Sequence, residues 1–126
     1  MYFIDTNILL EIALKQEKST KAKAFLINNA AEKMYMSDMS IHSIGIILFK
    51  LKKRDSFIIL LNEISINRIA ILSILVSKLN DVKNNAEKFN LDFDDAYQYT
   101  IAKNYDLKLI SFDKDFDKTD IKRIEP

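Results

Sequence analysis

A chain of 126 residues with 48% hydrophobic and 29% charged residues reads as one soluble domain, long enough for a real core and too apolar to be disordered. Its formal net charge of +1 creates no global field for a polyanion, so a nucleic-acid partner would need a local basic patch. The absence of cysteine excludes disulfides, thiol catalysis and cysteine-ligated zinc, and a single glycine, Gly45, excludes glycine-rich phosphate cradles.

Residues 2–5 read as a short buried strand of aromatic and β-branched residues ending in Asp5-Thr6-Asn7. Ile8, Leu9, Ile12 and Ala13 then recur at helical spacing, with Thr6 or Asn7 as cap. Glu11 on this helix reads as an exposed surface acid. Ser19 to Asn29 suits a second helix with Ala22, Phe25 and Leu26 on one face, and Met34 to Met36 a second strand running into Ser37-Asp38. Ser40 to Lys52 is apolar along Ile44, Ile47, Leu48 and Leu51, and Asp55 to Ile64 continues as another helix.

A third strand is predicted at Arg68 to Leu72, followed by a helix from Lys78 to Phe89 through Leu79, Val82, Ala86 and Phe89. Asp94 is the expected cap of a helix over Ala96 to Asn104, with Tyr97, Ile101 and Ala102 facing the core. Leu107 to Ser111 reads as a fourth strand and Ile121 to Ile124 as an edge fifth. Strands alternating with helices imply right-handed crossovers and a mainly parallel sheet in a single domain, residues 1–126. The rows Lys50, Lys52, Lys53, Arg54 and Lys15, Lys18, Lys21, Lys23 read as solvated helix faces. No signal peptide is legible at the amino terminus, and the apolar stretches fall short of the ~18–20 residues that span a bilayer. A cytoplasmic protein with no membrane partner is expected.

In an open parallel sheet, ligands bind outside the carboxyl ends of the strands. The acids Asp5, Asp95, Asp113, Asp115 and Asp117 would therefore converge on one edge. Singly each has an ordinary role: Asp5 as a helix cap, Asp95 as a complement to a helix dipole, the last three as a polar turn. Together they are costly unless a cation neutralises them, and with no histidine or cysteine among them the cation is Mg²⁺ or Mn²⁺.

Three segments in order carry a resemblance: strand-terminal Asp5-Thr6-Asn7, Asp95-Ala96 within Leu91 to Ala102, and Leu109-Ile110-Ser111-Phe112-Asp113-Lys114-Asp115-Phe116. They resemble the signature of the PIN-domain family over essentially the whole chain. The resemblance implies a three-layer α/β/α fold with a four- or five-stranded, mainly parallel sheet. It also implies an Mg²⁺- or Mn²⁺-dependent ribonuclease, a type that includes the toxins of VapBC toxin–antitoxin pairs. By position, Asp5, Asp95 and Asp113 match the catalytic, metal-holding acids, Asp117 an auxiliary metal acid, and Asn7 and Ser111 the polar neighbours that orient them. RNA is the implied substrate, with an antitoxin protein and a second copy of the chain as implied partners. The antitoxin would lie across the active edge and insert an arginine among the carboxylates, a pairing that bidentate geometry favours.

One departure matters. The family pattern has a glutamate some six residues beyond a serine like Ser37, and Ser43 stands at that place. Three readings compete. Asp38 supplies the carboxylate from another direction; or Ser43 or His42 binds metal or phosphate directly or through water; or the site is weak or dead and survives as a module that binds RNA or a partner protein. His42, the sole histidine, is favoured for a supporting position over a general base.

Overall fold

The computed structural model describes residues 1–126. Five strands, β1 (Tyr2–Ile4), β2 (Met34–Ser37), β3 (Ala70–Leu72), β4 (Lys108–Ile110) and β5 (Arg123–Ile124), form one sheet in the order β3-β2-β1-β4-β5. Every pairing is parallel. Six helices connect them: α1 (Thr6–Ala13), α2 (Ser19–Asn28), α3 (Asp38–Lys50), α4 (Arg54–Ile66), α5 (Leu79–Phe89) and α6 (Phe93–Asn104). The chain steps outward from β1 through β2 to β3, then returns through α5 and α6 to place β4 on the other side of β1. That reversal opens a crevice between the carboxyl ends of β1 and β4.

Alternation along the strands divides the interior into two cores. Ile4, Met34, Met36 and Ile110 point to one face and join α1 through α4, with Ile8, Leu9, Ile12, Leu26, Ile44 and Leu48 as filling. Phe3 and Leu109 point to the other face and meet α5 and α6 through Val82, Tyr97 and Ile101, with Phe116 added from the turn after β4. The result is the expected α/β/α sandwich. Helix α6 is buried continuously from Ala96 to Ala102, as a helix pressed between a sheet and another helix must be. Its polar members are satisfied: Asn85 donates to Thr100 Oγ1 (2.9 Å), and Thr100 donates to the Ala96 carbonyl (2.7 Å).

Several local expectations need correction. Asp5, not Thr6 or Asn7, holds the position before α1, yet its side chain makes no capping bond. Asp92, not Asp94, caps α6, its carboxylate accepting from the Asp95 N–H at 3.1 Å, so the helix starts one turn earlier than expected. Glu11 is half-buried and accepts from the Lys18 N–H (2.9 Å), which ties the turn between α1 and α2. Leu51 lies beyond the end of α3 and is 52% exposed, because the chain turns there through Lys52 in the left-handed region (φ 56°). No helix is long and apolar enough to cross a membrane.

Candidate metal centre

The crevice between β1 and β4 is built by a clasp of three side chains. Asp5, the residue after β1, is 3% exposed. Its Oδ2 accepts from Ser111 Oγ and from Asn7 Nδ2. Asn7 Nδ2 also donates to Ser111 Oγ at 3.1 Å, while its Oδ1 accepts from the Phe112 N–H at 3.3 Å. Ser111 in turn accepts from the Asp113 N–H at 2.9 Å. Asn7 and Ser111 thus fix Asp5 and lock the turn after β4 to the start of α1.

Asp95 reaches the crevice from the first turn of α6, and Asp113 and Asp115 from the turn after β4. One carboxylate oxygen from each of these three lies within 4.8 Å of the others. Asp113 also accepts from the Asp115 N–H (2.8 Å), which shapes the short 3-10 turn over Lys114–Lys118. Burial and the mutual repulsion of these carboxylates disfavour the charged forms. Burial, followed by the Asp113 charge, pushes Asp5 up to about 6, against the opposing bonds from Ser111 and Gln98. Asp95 is pushed up to about 7 by burial and by the charges of Asp92, Asp5, Asp113 and Asp115. No lysine or arginine salt bridge neutralises Asp5, Asp95 or Asp113; Asp115 alone has one, to Lys118 at 3.3 Å, where both groups are exposed.

The donor set is all carboxylate oxygen, concentrated and short of counter-charge, and it fits a hard divalent cation. Asp95, Asp113 and Asp115 would hold such an ion, with Asp5 buried behind them.

Asp117 stands elsewhere. Both of its oxygens are taken by Arg123 of β5, at 2.7 and 3.1 Å, and this bidentate pair holds its carboxyl below the usual range. Asp115 joins the cluster in its stead, while Asp117 is drawn off by Arg123. Of the substitutes for the missing glutamate, Asp38 Oδ1 accepts from Tyr97 Oη at 3.0 Å and from the Met39 N–H at 2.9 Å. His42 is exposed and lines an apolar hollow of about 430 Å³ with Ile41, Ile46, Phe49 and Phe57. Ser43 is half-buried one turn beyond Ser40. Neither Asp38 nor His42 belongs to the carboxylate group.

Sequence reading missed Gln98, one turn beyond Asp95 and 3% exposed. Its Oε1 accepts weakly from the Thr6 N–H (3.4 Å), and its amide helps hold the charge of Asp5. It also missed a buried hydroxyl chain, in which Thr6 Oγ1 donates to Ser40 Oγ (2.8 Å) and Ser40 meets Ser37 Oγ (2.8 Å). Polar residues three apart on an otherwise buried helix were the available signal for Gln98.

Comparison with known proteins gives a consistent result. A family model described as PIN domain matches residues 2–122. Among the solved structures that share the fold are two at under 25% identity. A toxin–antitoxin complex from Klebsiella pneumoniae superposes with a TM-score of 0.69 at 18% identity, covering 92% of this chain and 90% of its own. PAE2754 from Pyrobaculum aerophilum superposes with a TM-score of 0.68 at 22% identity, covering 98% and 89%. No curated protein matches the chain by sequence.

Proposed function

The chain belongs to the PIN-domain family, generally nucleases, and on that premise we propose that it is an Mg²⁺- or Mn²⁺-dependent endoribonuclease. It hydrolyses RNA phosphodiester bonds as the toxin of a VapBC-type pair. The observation that carries this reading is the group of Asp95, Asp113 and Asp115 at the reversal point of the sheet, largely uncompensated. A divalent cation bound there supplies charge stabilisation for a phosphate oxygen and acidifies a water.

The protein's own groups do the rest. Asn7, Ser111 and Gln98 hold the Asp5 carboxylate in one orientation behind the cluster. Burial and mutual repulsion push Asp5 up to about 6 and Asp95 up to about 7, so a bound cation would favour the charged forms of both. The Asp113 N–H, bonded to Ser111, fixes the turn that delivers two of the three carboxylates. The antitoxin partner rests on the likeness to the toxin–antitoxin complex, and the exposed apolar hollow of α3 and α4 offers it a seat.

Calorimetry with Mn²⁺ on wild type and Asp95→Asn, run beside cleavage of a single-stranded RNA, tests the nuclease. Binding and metal-dependent cutting lost together in the variant are expected. A wild type that binds no Mn²⁺ and cuts nothing overturns it.

A second reading, a PIN-like module that binds RNA or a partner without cleavage, draws on one observation: no carboxylate stands in for the helix glutamate. Under that reading Mg²⁺ and Mn²⁺ bind with little affinity and RNA stays uncut even at high protein concentration.

A further inference from the structure

One basic side chain does pair with the acidic group, and its place follows from the turn that delivers the acids. The turn over Lys114–Lys118 is a 3-10 helix, and in that geometry residues three apart stand in register. Asp115 therefore meets Lys118, whose Nζ lies 3.3 Å from its Oδ1. Lys114 falls in the same way beside Asp117, and its charge acts on that carboxylate. The turn lines up two acid–base pairs, and they are held very differently.

Asp117 is closed. Arg123 takes both of its oxygens, at 2.7 and 3.1 Å, and the guanidinium is itself anchored to the Ser111 carbonyl (3.0 Å) and only 11% exposed. Asp115 is open. Its backbone N–H is fixed by Asp113 (2.8 Å), but its carboxylate has only the single contact to Lys118. Both side chains of that pair stand in water, Lys118 at 46% and Asp115 at 59% exposure. Lys118 makes no second ion pair, so it can leave Asp115 without breaking anything else.

We propose that Lys118 is a tethered counter-ion of the acidic group, holding Asp115 while the centre is empty and yielding it to a divalent cation. The inference rests on the metal reading and deepens it by naming what the ion must displace. An ammonium reaches one carboxylate, whereas a divalent ion draws on Asp95, Asp113 and Asp115 together, whose oxygens already lie within 4.8 Å of one another. An exposed single pair contributes little, so the tether gives way to an ion held by three acids. It nevertheless lowers the affinity for that ion, because the pair has to break first. Lys118 thereby sets the cation concentration at which the centre fills.

The test is calorimetric titration of Mn²⁺ into the metal-free full chain at low ionic strength, for wild type, Lys118→Met and Lys118→Arg. Methionine keeps an unbranched stem and removes the charge. Lys118→Met is expected to bind Mn²⁺ about 2- to 5-fold more tightly, the scale of an exposed ion pair, and Lys118→Arg to stay at or below wild type. The gain should shrink at high salt, where exposed charges are screened. Lys83→Met breaks an exposed pair with Glu87 on α5 and should leave the affinity unchanged. A merely structural pair has the opposite sign, since a freed Asp115 would be less well placed and the ion more weakly held. Unchanged or weaker binding in Lys118→Met, or an equal gain in Lys83→Met, overturns the tether. A second readout needs no variant protein to bind metal: in NMR of the wild-type lysine ammonium groups, Mg²⁺ should move the Lys118 signal toward that of a free lysine, and a signal that stays put overturns the proposal. A wild type that takes up no Mn²⁺ sinks the metal reading itself, a separate result.

Discussion

Two groups of acids in this protein behave in opposite ways. At the crevice, Asp5 and Asp95 are pushed up to about 6 and about 7, with no basic side chain in salt-bridge reach. Along the last turn and strand, Asp117 and Glu125 share Arg123, and Asp120 pairs with Lys103 at 2.8 Å; all three are held below their ordinary range. The second group has satisfied itself. The first has gathered negative charge and left it unanswered, so a missing counter-ion separates functional from structural acids more sharply than their number does.

The largest effect that can break this contrast is Asp95→Asn or Asp113→Asn. Either should abolish Mn²⁺ binding and cleavage while raising the thermal midpoint of the metal-free protein at pH 8, since each removes repulsion. Calorimetry and thermal melts in EDTA check both halves, and a lowered metal-free midpoint would count against unanswered charge at the site. A saturating cation at about 100 times its dissociation constant should add about 2.7 kcal/mol to wild type and none to these variants.

The contrast also predicts pH dependence with two signs. Asp5 and Asp95 have folded values above 3.8, so the stability they allow is full below about pH 4 and lost as pH rises through 6 to 7. Asp117, Asp120 and Glu125 have lowered values, so their contribution is present above the ordinary carboxylate range and lost as pH falls through the shifted values. Urea unfolding in EDTA should therefore show greatest stability on the acid side of neutrality, and Mn²⁺ should flatten the alkaline limb.

Supporting groups should matter less. Ser111→Ala or Asn7→Ala should weaken metal affinity about 10- to 100-fold, since each orients Asp5, which calorimetry would resolve. Arg123→Ala should cost about 1–3 kcal/mol of stability, because Arg123 Nη1 also donates to the Ser111 carbonyl at 3.0 Å, while leaving most of the ion affinity in place. Smallest of all, Asp117→Asn should leave the Mn²⁺-induced shift in melting unchanged, and a lost shift would return Asp117 to the metal centre.

Much of the architecture was legible because parallel strands announce themselves as short apolar runs that end in polar residues. That signal located all five strands. Choosing among neighbouring acids was harder. Asp92, Asp94 and Asp95 are chemically alike, and only the starting phase of α6 makes the first a cap and the third a site residue. Likewise Asp115 and Asp117 differ by their partners, and the partner of Asp117 is Arg123, which β5 brings across only once the sheet is built. Gln98 hid for a related reason: a buried amide looks like a helix residue until the charge it serves is in place.

The clasp joins residues that are 106 positions apart, Asp5 and Ser111. During synthesis Asp5 therefore emerges well before Ser111. Until β4 docks beside β1, Asp5 has neither the hydroxyl that orients it nor the acids of the last turn. A growing chain therefore carries no complete acidic cluster, even with β1 to β3 already laid down. The acidic group is in this way assembled last, only once β4 has closed the sheet beside β1.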